Sequence, residues 1–144
     1  MSDSAAASSL SRGVRITAFV LLAAAACLVP WIVWLHYNQI PSGFAWHLKA
    51  LWVGLDTMEL AGLALSGIGL LRHWTLAPLI ASFTAALLFL DAWFNVVATK
   101  DDAFVEAVVM AIVVELPMTV LLLWAAVRLQ RQLLNPVLAP APTG

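Results

Sequence analysis

Apolar residues fill four long stretches of the chain, and short polar or turn-forming segments separate them. The first stretch runs from Ile16 to Leu35 behind Arg12 and Arg15. A loop from His36 to Ala45 follows, with Pro41-Ser42-Gly43 as its breaker. The second stretch extends from about Trp46 to Leu71, and Arg72-His73 leave only a short turn before the third, from about Trp74 to Ala98. Thr99-Lys100-Asp101-Asp102 precede the fourth, from about Ala103 to Leu129. None of the four alternates as a membrane strand does. Each has the length, about 20 residues, that an α-helix needs to cross hydrocarbon. The pattern predicts an all-α fold, a four-transmembrane-helix bundle with spans at about 14–35, 46–71, 74–98 and 103–129.

Composition supports lipid as the solvent. The 144 residues are 63% hydrophobic and 10% charged, whereas a soluble domain is about 45–50% apolar. One membrane domain over 14–130 accounts for the chain, flanked by tails expected to be disordered. The first, 1–13, is rich in Ser and Ala; the last, 131–144, carries Pro136, Pro140 and Pro142. Arg12, Arg15 and Ala24-Ala25-Ala26-Cys27 raise the question of a cleaved leader. The apolar run continues through Leu28 to Leu35, so an uncleaved first span, bent near Pro30, is the expectation. A net charge of −1 gives no basis for a nucleic-acid partner. The single cysteine, Cys27, excludes an internal disulfide and a thiolate metal cluster.

Four spans put both termini on one side. Arg12, Arg15, Arg72, Arg128 and Arg131 share that side, against Lys49 and Lys100 on the other. The positive-inside rule then places both termini in the cytoplasm. Trp31, Trp34, Trp46 and Trp52 gather toward the outer ends of the first two helices, and Trp74 and Trp124 toward the inner ends, as aromatic belts do.

Against this background the acids stand out. Asp56 and Glu59 lie within the second stretch, Asp91 and then Asn95 within the third, and Glu115, followed by Pro117, within the fourth. An ionisable group at the centre of a membrane helix costs roughly 2.5–3.5 kcal/mol on insertion scales, so each needs a reason. At helical spacing Lys49, Trp52, Asp56, Glu59, Leu63 and Ser66 share a broad face. Gly62 and Ser66 flank it as a small-residue pair where another helix can approach. Thr84, Leu87, Leu88, Asp91 and Asn95 form the corresponding stripe on the third helix, and Val108, Ala111, Glu115, Met118, Thr119 and Leu122 on the fourth. Glu106 falls on the far side and is expected to be solvated. At about 1.5 Å per residue all four acids lie about 10–19 Å below the outer helix ends. The inner half holds no ionisable side chain. The expected shape is a polar funnel opening outward, sealed below by Leu63, Leu65, Ile68, Leu70, Leu71, Leu76, Leu79, Ile80 and Val120 to Leu123.

Two explanations of the acids stay open. As neutral, hydrogen-bonded carboxyls they would hold helices together, each bond contributing about 0.6 kcal/mol. As a site they would bind a proton or a hard cation such as Ca²⁺, Mg²⁺ or Mn²⁺, whose ligands are oxygens. Lys49 can neutralise only part of the set. His36 and His47 sit near the outer mouth, and His73 is remote from the acids. The two Glu-x-x-His motifs of di-iron bundles are absent. No Ser, His and acid set shares a depth, so an enzyme is not expected and no cofactor is implied.

The combination Trp52-x-Gly54-x-Asp56-x-x-Glu59, Asp91-Ala92-Trp93-Phe94 and Glu115-Leu116-Pro117 resembles small four-helix integral membrane proteins of actinobacteria. The resemblance covers helices two to four. It implies the same fold, and brings no activity with it. Those proteins often carry a further acid where this chain has Asn95, so it implies a less acidic site here. The favoured reading is proton or cation handling by Asp56, Glu59, Asp91, Asn95 and Glu115, with Lys49 beside them and the lipid bilayer as solvent. Transport would call for a homodimer. The alternative is a structural or accessory protein whose acids fix the packing or bind a membrane-protein partner.

Overall fold

The computed structural model of the chain describes residues 12–38, 46–99 and 103–138. They form α1 (Arg12–Asn38), α2 (Trp46–Leu71), α3 (Ala77–Ala98), α4 (Ala103–Met110), a π-helical turn (Ala111–Glu115) and α5 (Leu116–Leu138). The last three are continuous, because Met110 and Leu116 at the junctions both keep right-handed helical backbone angles. Four helices are therefore long and apolar enough to cross a membrane: Arg12–Trp34, Ala50–Leu71, Ala77–Ala98 and Phe104–Leu134. No strand occurs among the described residues. Pro30 sits inside α1, which continues through it.

Four boundaries differ from expectation. α3 starts at Ala77 rather than near Trp74, because Arg72 to Leu76 are used to reverse the chain. His73 takes a left-handed conformation at φ 54°, and the Trp74 N–H donates to the Gly69 carbonyl at 3.0 Å. This closing bond spans the last turn of α2 in the manner of a Schellman cap. A non-glycine residue there costs about 1–2 kcal/mol, which the capped carbonyl helps offset. Pro78 then falls in the first turn of α3, where its missing N–H costs nothing. At the far end α5 runs to Leu138, so residues 131–138 are helical rather than a disordered tail; amphipathic helix simply outlasts the membrane-length segment. α1 begins at Arg12 and runs to Asn38, past the expected 14 and 35 at both ends. The expected tails 1–11 and 139–144 and the loops 39–45 and 100–102 lie outside the described residues.

α1 packs on α2, α2 on α3, and α3 on the α4–π–α5 helix, with a lighter contact between α1 and α5. Small residues set the closest crossings. A Cβ at Gly67 would lie 2.8 Å from Leu22 Cγ and 3.0 Å from the Ala18 carbonyl oxygen, so only glycine lets α1 lie on α2 there. A Cβ at Gly62 would collide with the Thr84 hydroxyl of α3. This is the close approach expected beside the Gly62/Ser66 pair, since lipid offers no hydrophobic drive and dense contact must supply the attraction.

The apolar core is built from Val14, Ala18, Leu21, Leu63, Leu70, Ala77, Ala81, Leu122, Ala125 and Leu129 among others, all buried. It occupies the Arg72 end of the bundle. Of the residues expected to form the seal, Leu63, Leu70 and Leu122 are buried and Ile68, Leu71, Ile80 and Leu121 half-buried, whereas Leu65, Leu76, Leu79, Val120 and Leu123 are exposed. In a membrane every side of the helix is apolar, so hydropathy does not distinguish core from lipid. Burial here follows small size and helix phase instead. The seal is also interrupted by Ser66, fully buried with no hydrogen-bond partner for its hydroxyl.

Candidate functional site

The other end of the bundle holds the acids. α2 carries Asp56 and Glu59 three residues apart, so both project from one face. α3 packs against that face and presents Asp91, with Asn95 one turn further along. Asp56, Glu59, Asp91 and Glu115 are all buried, with exposures of 6%, 2%, 5% and 9%. One carboxylate oxygen from each of Asp56, Glu59 and Asp91 lies within 4.8 Å of the other two. Asn95 ties in the fourth acid: its Nδ2 donates to Asp91 Oδ2 at 2.7 Å and to Glu115 Oε1 at 3.3 Å. Asp91 and Glu115 are joined through the Asn95 amide. The expected convergence of the four acids and Asn95 is thus present.

Glu115 owes its position to a local break. Pro117 has no N–H to give to Val113, and its ring crowds that carbonyl. The turn before it widens, and the Leu116 N–H reaches back five residues to the Ala111 carbonyl. Such π turns are rare. Ala111 and Glu115, at its two ends, are its buried residues, while Ile112, Val113 and Val114 are exposed. The Thr119 hydroxyl donates to the Glu115 carbonyl at 2.8 Å, which occupies a backbone acceptor in the disturbed stretch.

α1 contributes one member that its sequence does not signal. The Trp31 side chain hydrogen-bonds Asp56 and its ring stacks on Trp34 with centroids 5.2 Å apart. Trp31 is one of several tryptophans at this end, and the belt pattern gives no way to single it out. Trp93 and Phe94, close to Asp91 in sequence, are exposed on the surface of α3. Trp93, two residues after Asp91, lies about 200° from it around the helix and so faces away. Glu106 is exposed, as expected. The side chain of Lys49 and those of residues 46–48, including His47, lie outside the described part.

The electrostatics are one-sided. The described basic residues Arg12, Arg15, Arg72, Arg128 and Arg131 belong to the opposite end of the bundle. Buried oxygens of Glu59 (Oε1), Asp91 (Oδ1) and Glu115 (Oε2) meet no nitrogen or hydroxyl donor. A buried polar group left without a partner costs about 1–3 kcal/mol. The Asp56, Glu59 and Asp91 oxygens are close enough together to hold a cation. No family model, curated protein or solved structure matches the chain.

Proposed function

We propose that this chain is a small multi-pass protein of a bacterial plasma membrane that handles protons or cations at the Asp56, Glu59, Asp91, Glu115 cluster. The observation that carries this reading is the convergence of four buried acids from three helical segments, with buried oxygens lacking donors. One or two acids would serve to hold helices together. Both termini are cytoplasmic in this reading, and the cluster opens toward the outside. Transport requires a second copy or a partner protein, since four helices leave few faces to move against one another.

Glu115→Gln tests the assignment. It keeps shape and hydrogen bonding but cannot gain or lose a proton. The expected result is a folded protein that has lost pH-dependent cation binding or flux in proteoliposomes. A folded variant with the wild-type response would overturn the reading. The second reading, an accessory or structural protein, is favoured by the Asn95 bridge joining Asp91 to Glu115. On that reading Glu115→Gln is neutral and Glu115→Leu destabilises the bundle. Orientation is tested separately with single cysteines: Ser42→Cys should label from outside and Ser8→Cys only from the cytoplasm, and the reverse pattern inverts the topology.

A further inference from the structure

The proposed reading leaves proton and metal open, and three features of the cluster distinguish them. The first is spacing. Ca²⁺ takes oxygen ligands at about 2.3–2.6 Å, so two oxygens on opposite sides of one ion are about 4.6–5.2 Å apart. The Asp56, Glu59 and Asp91 oxygens, all within 4.8 Å of one another, can therefore contact one ion of that size without any helix moving.

The second is orientation. Asn95 holds Oδ2 of Asp91 at 2.7 Å and leaves its Oδ1 buried without a donor. Trp31 hydrogen-bonds Asp56 from α1. Metal-binding carboxylates are fixed by outer hydrogen bonds of this kind, which leave a lone pair directed at the ion.

The third lies outside the triad. Glu115, 9% exposed, is drawn beside Asp91 by Asn95, yet its Oε2 meets no nitrogen or hydroxyl donor. Glu59, at 2% exposed, has a similarly orphaned Oε1. Helix adhesion alone does not call for a buried fourth carboxyl held beside Asp91 by Asn95 with one oxygen unused. A divalent ion does, because hard cations of this class take six or more oxygens and the triad supplies only part of that number. The donor set contains no thiolate and, among the described residues, no imidazole at the cluster. That leaves aside the soft-ligand chemistry of zinc fingers and copper sites and points to hard divalent cations, Ca²⁺ and Mn²⁺ among them.

Resting on the proposed cation-handling role, we infer that Asp56, Glu59 and Asp91 form a binding site for one hard divalent cation of the Ca²⁺ or Mn²⁺ class, with Glu115 as a further oxygen donor at its edge.

Mn²⁺ is the probe. The full chain is placed in phosphatidylcholine nanodiscs, whose zwitterionic lipid limits background binding, and free Mn²⁺ is followed by electron paramagnetic resonance. The wild type should bind one Mn²⁺ per chain, displaced by Ca²⁺ and not by equimolar Na⁺ or K⁺. Glu59→Gln and Asp56→Asn, each shown to be helical by circular dichroism, should weaken binding at least tenfold, whereas Glu106→Gln on the exposed face should not change it. If one of the two fails to fold, the other carries the test. Absence of Mn²⁺ binding by the folded wild type overturns the inference, as does wild-type affinity in a folded triad variant. The same nanodiscs are then tested for a Glu115-dependent pH or Na⁺ response: if that survives, only the divalent site has failed, and if it too is missing, the proposed function fails with it.

Discussion

The two ends of this bundle are held together differently. At the Arg72 end, helices meet through Gly62, Gly67, Ala77, Ala81 and Ala125, with Leu21, Leu70 and Leu122 filling what remains. At the other end, the same helices meet across carboxyls, an amide and a tryptophan, with buried oxygens left unpaired. Since lipid is as apolar as leucine, close packing is what stabilises the first end. The second end gives up packing and accepts desolvation. Stability and function are therefore expected to separate along the helix axis.

Gly67→Leu should have the largest effect on stability. A side chain there meets the Ala18 backbone as well as Leu22, and backbone cannot turn aside. The expected loss is about 3 kcal/mol in a detergent unfolding assay. Leu122→Ala comes next. Leu122 is fully buried, and with no transfer from water the cavity dominates, at about 2 kcal/mol. Neither variant should alter cation affinity in the fraction that remains folded.

At the polar end the order reverses. Asn95→Leu removes the donor shared by Asp91 and Glu115 and should cost about 1 kcal/mol. It should also weaken cation binding, because Asp91 loses the bond that orients it. Glu115→Gln should change stability least, by about 0.6 kcal/mol or less, while removing the pH and cation response. If Asn95→Leu or Glu115→Gln destabilised the bundle more than Leu122→Ala, the acids would be its main fastening and the division between the ends would collapse in favour of a structural role.

Much of this was legible in the chain by itself. Length and hydropathy set four spans, and Arg72-His73 and Thr99-Lys100 punctuate them, because a bilayer demands unbroken apolar helix and turns tolerate charge. Helical phase put Asp56 with Glu59, Asp91 with Asn95, and Glu115 with Thr119 on faces that do turn inward, since isolated acids facing lipid are too costly to keep. Tertiary structure alone decided the rest. Which leucines seal the core could not be read, because lipid and core ask for the same residues; Leu122 is buried and Leu123 is not. Trp31 became a partner of Asp56 only through the packing of α1 on α2. Pro117 denies the Val113 carbonyl its donor, but that the turn before it widens is seen only in the structure. The widened turn ends at Glu115, which sits against Asn95.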